Sequence, residues 1–243
     1  MNDAIQTISL VSLSIAFIPV LIVITILFKW SLDVRKALYA VVRMLVQLLL
    51  IGYFLTYIFK SDSATIILVV LTIMVLASSW IALGVIEAKR LLLYRYALVS
   101  ITLGGGVTLI LVTQFVLNLD PWYAPQFMVP LAGMIFVNSM NGISLAVERL
   151  NAEMEGGMAY KQSRHVAFRA SLIPIINSLF AVGLVSLPGM MTGQILSGVS
   201  PLIAVRYQIM AMCMIFGSTG ISAACFLIVV RPVFEKYEAI RPQ

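Results

Sequence analysis

Uncharged stretches alternate with short charged gaps along the chain, seven times over. The stretches cover residues 4–28, 37–59, 63–86, 97–118, 127–147, 170–187 and 207–230. About 20 apolar residues in a helix cross roughly 30 Å of hydrocarbon, so stretches of this size predict membrane spans. Lipid offers no partner to backbone N–H and C=O groups, so each span is expected to be helical. None shows the two-residue alternation of a membrane barrel. The expected fold class is all-α: a polytopic membrane protein of about seven transmembrane helices. No linker, repeat or low-complexity stretch divides it, so residues 1–243 read as a single domain.

Composition agrees with the pattern. Hydrophobic residues make up 61% and charged residues 11% of the 243, with a mean hydropathy of +1.05. A soluble domain of this length cannot bury so much apolar surface. The charge distribution then orients the spans. Lys29, Arg35 and Lys36 lie in the first gap, Lys89, Arg90 and Arg95 in the third, and Arg149, Lys161, Arg164 and Arg169 in the fifth. With Arg231, Lys236 and Arg241 in the tail, these are thirteen of the sixteen Lys and Arg, while the opposite gaps hold only Lys60 and Arg206. The positive-inside rule places the N-terminus outside and the C-terminus in the cytoplasm. The net charge of +6, spread over short loops beside lipid, suits anionic headgroups and not nucleic acid. No positive residue precedes the first stretch, so residues 4–28 are expected to stay as a helix and not to be cleaved as a signal peptide. Cys213 and Cys225 fall on one expected helix, about 18 Å apart, too far to bridge.

Several positions break the apolar pattern. Arg43 stands about a turn and a half into the second stretch, with Gln47 one turn further along the same face. Such a cation either snorkels to the headgroups or faces protein. Gly104-Gly105-Gly106 in the fourth stretch predicts close helix packing, as do the small pairs Ser218/Ser222 and Gly220/Ala224 in the last. Asn138 and Asn141, near Ser139 and Ser144, either glue helices together or line a polar path. Residues 170–205 run for 36 positions without a charge, too long for one crossing and too short for two. Pro174, Pro188 and Pro201 punctuate this run, and Pro188-Gly189 is expected to end one helix or start a bend. The remainder, Met190 through Val205, becomes a short broken or re-entrant segment or one lying at the outer surface. Non-helical backbone at membrane depth persists only beside protein or water.

The charged gap 148–169 is the longest on its side and carries Glu148, Glu153, Glu155, Lys161 and Arg164 around Gly156-Gly157. It reads as a solvated connector or as a short helix on which a cytosolic partner presses. Its His165 has no Cys nearby, which argues against a metal role. No G-x-x-x-x-G-K-[ST] phosphate loop, H-E-x-x-H or G-x-S-x-G occurs, and no paired carboxylates lie within a span. The chain is therefore not expected to be an enzyme or a proton-coupled carrier. The last stretch has no lysine for a retinal Schiff base.

The run Gly183-Leu184-Val185-Ser186-Leu187-Pro188-Gly189-Met190-Met191-Thr192-Gly193, continuing through Gln194-Ile195-Leu196-Ser197-Gly198, resembles the hallmark of the FetB-type iron-export permeases. That family includes plant aluminium-tolerance permeases. The resemblance extends to Arg43 with Gln47-Leu48 and Gly52-Tyr53, to Val129-Pro130-Leu131-Ala132-Gly133-Met134, to Leu172-Ile173-Pro174 and to Arg206-Tyr207-Gln208-Ile209-Met210. It implies the transmembrane subunit of an ABC transporter in the cell membrane, paired as a homodimer with a separate cytosolic ATPase. It also implies export of iron or another metal ion or complex. ATP and Mg would then bind the partner subunit, and no cofactor this chain. On that footing Gln47, Asn138, Asn141, Thr192 and Gln194 are candidates for the substrate path. Pro188 and Gly189 would set a hinge within the motif that also holds Met190, Met191 and Gly193. Glu148, Glu153, Glu155, Lys161 and Arg164 would couple to the ATPase, although the 148–169 segment is shorter than the family's. Met190 and Met191, with Met128, Met134 and Met140, either offer thioethers to a soft ion or fill apolar gaps. No metal-ligand set is legible. The other class of protein that fits is a receptor-like or scaffold protein docking a cytosolic partner through 148–169.

Overall fold

A computed structural model describes residues 8–60 and 63–240, with side chains as far as Lys236. The expected start of the first span at residue 4, and Arg241 in the tail, lie outside these residues. All regular structure among the described residues is helical: α1 (Leu10–Ile15), α2 (Ile18–Lys29), α3 (Val34–Ile58), α4 (Ala64–Ala82), α5 (Arg90–Ile110), α6 (Pro125–Glu155), α7 (Tyr160–Ala181), α8 (Gly189–Leu196), α9 (Pro201–Val229) and α10 (Arg231–Ile240). The chain forms two compact units, one through Lys60 and one from Ser61 onward.

In the first unit α2 and α3 pack as a hairpin. The first expected span is broken after Ile15, because Pro19 has no N–H to give the Ile15 carbonyl and its ring crowds that position. Asp33 caps α3, its carboxylate accepting from the Lys36 N–H at 3.1 Å. Neither α1 nor α2 buries a single residue. Their outward Leu, Ile and Val side chains are those of helices made to be solvated by lipid or covered by protein.

The second unit is built on α5, α6 and α9, with α4 against α5 and α6, α7 against α6 and α9, and α8 on α9. Glycine decides how closely the central three approach. A Cβ on Gly104 would overlap Ser222 Oγ and stand 2.6 Å from the Ser222 backbone nitrogen. One on Gly105 would press on Ile135 and Phe136 at 3.1 Å, and one on Gly142 would lie 2.7 Å from Thr219 Cγ2. Hydroxyls tie the same seam, with Ser222 Oγ bonded to Ser139 Oγ at 3.1 Å and Ser139 donating to the Ser218 carbonyl at 3.3 Å. The packing expected of the glycine run and of Ser218/Ser222 is thus what Gly104, Gly105 and the two serines do, while Gly106 faces open space.

Among the described residues, six helical stretches are long and apolar enough to cross a membrane: Leu10–Lys29, Val34–Ile58, Ala64–Ala82, Glu87–Val116, Pro125–Glu155 and Pro201–Lys236. The expected span at 170–187 is not one of them. Its helix, α7, runs from Tyr160 to Ala181, so its first half carries Lys161, Arg164 and Arg169 and its uncharged half ends well short of Leu187. The segment 148–169, read as a solvated connector or a short helix, is mostly helix. α6 continues through Glu155 and α7 starts at Tyr160, which leaves a turn of four residues. In that turn Met158 N–H reaches the Glu153 carbonyl and Gly157 N–H the Met154 carbonyl, both near 3.0 Å. This Schellman closure needs a left-handed residue, and Gly157 at φ 90° supplies it.

α4 ends where tertiary donors take its last carbonyls. Arg90 bonds the Trp80 carbonyl through Nε and Nη2 at 3.0 and 2.6 Å, and Ser144 bonds the Ala82 carbonyl at 2.8 Å. The Arg90 guanidinium also lies 4.0 Å over the Trp80 ring. α5 continues past Ile110 as a π-helical turn, Leu111–Val116, closed by Asn118 at φ 47°.

Replacing Gly104 by Ala should force α5 from α9 and lower stability by about 1–3 kcal/mol. Gly106→Ala, whose Cβ would meet nothing within 4 Å, should instead be neutral or stabilising by up to about 1 kcal/mol, since Ala is the better helix former. Thermal melts of the detergent-solubilised chain distinguish the two; equal melting temperatures would show that the seam is not close-packed.

Candidate functional site

Two regions of the second unit carry polar chemistry: the charged end where α5, α6, α7, α9 and α10 meet, and the opposite end, where α7 stops and α8 turns back onto α9.

The charged end is tightly fastened. Tyr160, almost wholly buried, donates its hydroxyl to the Leu227 carbonyl of α9. Burial, more than any neighbouring charge, pushes its pKa from 10.0 up to about 12, with Arg164 pulling the other way. Lys89 Nζ bonds Asn151 Oδ1 at 2.7 Å, and Asn151 Nδ2 passes the chain on to Glu155 at 2.8 Å. The Lys89 ammonium also sits 5.3 Å over the Phe234 ring. Among the expected coupling residues, Glu153 pairs with Arg149 one turn earlier, Glu148 and Lys161 are exposed, and Arg164 is half-buried. The five flank the four-residue turn between α6 and α7.

At the opposite end α7 stops at Ala181, before the family-like run begins. Residues 182–187 close into a tight turn, with the Ala181 carbonyl accepting from Leu184, Val185 and Ser186 N–H and Gly183 N–H reaching the Ser186 carbonyl at 3.0 Å. Its apolar side chains point away from the protein: Leu184 is 90% and Val185 84% exposed. Pro188, expected to end a helix or start a bend, is the N-cap of α8, extended at φ −62° and ψ 147°. Gly189 has open space around it, while Met190 and Met191 are half-buried and Gly193 is exposed. α8 ends in a second Schellman closure. Val199 N–H bonds the Gln194 carbonyl, Gly198 N–H bonds the Ile195 carbonyl, and Gly198 takes φ 90°. α9 then begins at Pro201.

The expected path residues lie on three helices, α3, α6 and α8. Arg43 and Gln47 lie on α3 in the first unit, both exposed. Asn138 turns back on its own helix, giving Nδ2 to the Met134 carbonyl at 2.8 Å, and Asn141 is exposed. Thr192 spends its hydroxyl on the Pro188 carbonyl at 3.2 Å, as a brace within α8. Gln194 is different: its Oε1 is shielded and accepts no hydrogen bond. One residue outside the expected set shares that state. Gln208 on α9 is 6% exposed, and its Oε1 is also shielded without a donor. In the sequence Gln208 was visible as the lone amide of an uncharged stretch, but nothing in the sequence showed which way it points. Among the described residues no group of three or more His, Cys, Asp or Glu could hold a metal ion.

Apolar helices able to cross a bilayer, spread from Leu10 to Lys236, define a multi-pass cell-membrane protein. The chain belongs to the uncharacterised protein family UPF0014, which it matches over residues 10–234. It is 35% identical over 221 residues to a UPF0014 membrane protein of Synechocystis, covering 84% of this chain and 85% of the relative. It is 33% identical over 238 residues to the probable iron export permease protein FetB of Escherichia coli, covering 89% of each. It is 30% identical over 225 residues to the protein ALUMINUM SENSITIVE 3 of Arabidopsis thaliana, covering 86% of this chain and 81% of the relative. No solved structure matches.

Tyr160→Phe should lower stability by about 1 kcal/mol through loss of the bond to Leu227. Below pH 10 the phenol is protonated in both states; between 10 and about 12 only the unfolded chain ionises. The wild-type chain therefore loses stability from this group as pH rises through that window, and the Phe variant does not. Melting temperatures followed between about pH 9 and about pH 12 should draw together and then cross, the Phe variant becoming the more stable; parallel curves would show that Tyr160 is not held as a buried phenol.

Proposed function

We propose that this chain is the membrane-spanning permease subunit of an ABC exporter for iron or another metal ion or complex, driven by ATP on a separate subunit. The observation that carries this reading is the similarity to the probable iron export permease FetB along 89% of both chains. The absence of any phosphate-loop sequence fits an energy source on a cytosolic partner that binds ATP and Mg. The exposed helices of the first unit fit a second copy of the chain or lipid against them, and a homodimer follows the twofold symmetry common among assemblies.

The geometry of the second unit suits such a machine. Tyr160 at the start of α7 meets Leu227 near the end of α9, and Pro201 lies about 39 Å away along that helix. The chain therefore travels from the charged end to the other between Tyr160 and Pro201, by way of α7, the 182–187 turn and α8. In the proposed orientation the charged end is cytoplasmic, the N-terminus lies outside and the C-terminus inside, following the lysine and arginine distribution. The Gly156-Gly157 turn at the tip of the α6–α7 hairpin is then the contact for the ATPase, flanked by Glu148, Glu153, Glu155, Lys161 and Arg164. ATP binding would favour one opening of the path and hydrolysis the other, a shift between two populations. Pro188 and Gly189, at the joint between the turn and α8, are placed as the hinge.

Affinity purification of the chain from its native membrane should bring an ATPase subunit with it, and cells lacking the chain should retain more iron under iron load. A chain that purifies alone, with iron content unchanged by its loss, would reject the exporter reading in favour of a receptor or scaffold. Because a Cβ at Gly189 meets nothing within 4 Å, Gly189→Leu should insert and fold normally yet reduce export at least about tenfold. Unchanged export in that variant would remove the hinge role.

A further inference from the structure

α7 buries one face and leaves the other bare. Tyr160, Ser163, Ala167, Ser171 and Ile175 are buried. Lys161, His165 and Arg169, each one turn from the next, stand exposed on the opposite side. That side continues as Ile173, Ile176 and Phe180, which are 51%, 37% and 76% exposed. One uncovered strip thus begins in cationic and N–H donor groups and ends in hydrocarbon.

The polar half of this strip reaches to the depth of apolar helix. Leu172 meets α9 at Gly220, where a Cβ would lie 3.8 Å from Leu172 Cδ2. α7 and α9 run in opposite directions, since Tyr160 bonds Leu227, so Arg169 is level with about residue 223 of α9. That level is about 12 Å inward from Arg231, within a stretch of α9 that carries no charge from Tyr207 to Val230. A cation so placed beside lipid reaches out to polar groups or draws them inward. Helix side chains lean toward the N-terminus, and the N-terminus of α7 is the charged end, so all three side chains reach the same way. No acid of the chain answers them. The sequence holds no Asp or Glu between Glu155 and Glu235, and none of the three joins an ion pair among the described residues.

We infer that this strip is a binding site for an anionic phospholipid. Arg169 and His165 take the phosphate, Lys161 adds its charge one turn nearer the end, and an acyl chain lies along Ile173 and Ile176. A guanidinium binds phosphate through paired N–H···O bonds, and basic surfaces at the edge of a membrane protein recognise acidic headgroups. The apolar half selects a lipid over a free anion. Inorganic phosphate would leave Ile173 and Ile176 bare, whereas one lipid molecule satisfies both halves. A second copy of the chain would have to bring a carboxylate to the depth of Arg169, and none of the ten Asp and Glu lies within an apolar stretch. Such a site stands whatever the chain transports.

Radiolabelled phosphatidylglycerol, added to the delipidated full-length chain in neutral detergent, should bind saturably and withstand an excess of phosphatidylcholine. Arg169→Gln should weaken that binding about tenfold, and Arg169→Lys, which keeps the charge but not the fork, by less. Ile173→Ser should weaken it too, and because Ile173 is half exposed this variant keeps its core and carries the test even if Arg169→Gln fails to fold. Arg206→Gln removes an exposed cation at the other end of α9 and should change nothing. Unchanged binding in Arg169→Gln or in Ile173→Ser overturns the site, and so does an equal loss in Arg206→Gln, which would reveal attraction to net charge alone. Inorganic phosphate that displaces the lipid at equal concentration would make this a free-anion site and overturn it as well. Loss of a dimer on gel filtration of Arg169→Gln, with lipid still bound, would give the strip to a second copy of the chain instead.

Discussion

The approach of α5 to α9 at Gly104 and Ser222 is the constraint on which the second unit is built. Between helices in a bilayer there is no hydrophobic drive comparable to that in water, because lipid tails are as apolar as leucine. Association must come from close van der Waals contact and from hydrogen bonds across the seam. With no Cβ at Gly104, the backbones come near enough for Ser222, Ser139 and the Ser218 carbonyl to bond one another in the interior. Gly105 and Gly142 extend the same contact to α6. Bring these three helices apart by a methyl group and both the dispersion contacts and the buried hydroxyl bonds are lost together.

From that seam the two ends of the unit differ in kind. At the charged end Tyr160, Lys89, Asn151 and Glu155 fasten α5, α6, α7 and α9 to one another, and the α6–α7 turn is locked by its Schellman bonds. At the other end α7 stops at Ala181 and the chain continues as a six-residue turn and a two-turn helix, with apolar side chains left uncovered and two amides left unpaired.

Much of this was legible in the sequence, and the residues show why the rest was not. Apolar run length and the lysine and arginine pattern defined the membrane class, because lipid imposes both directly. The glycine run at Gly104 and the small residues of α9 announced close packing, since little else places three glycines inside an apolar helix. Charge left the reading at residues 148–169 open between a connector and a short helix: lysine, arginine and glutamate are good helix formers, and they extend α6 and α7 to either side of a four-residue turn. Pro188-Gly189 read as a helix end or the start of a bend; α7 ends earlier, at Ala181, and Pro188 is the N-cap from which α8 sets off. The path residues were chosen for polarity alone. Polarity does not reveal direction, so Asn138, which bonds its own helix, looked the same as Gln208, whose side chain is buried against this chain's own atoms.

In the proposed exporter, the glycine-closed seam stays shut while motion is confined to the hairpin of α8 and the start of α9. Hydrogen–deuterium exchange on the chain in complex with its ATPase, with and without a non-hydrolysable ATP analogue, tests this most directly. The account predicts that nucleotide changes exchange across residues 182–200, while the seam at residues 100–108, 136–142 and 216–224 stays protected in both states. Changes centred on the seam, or none in the hairpin, would contradict it.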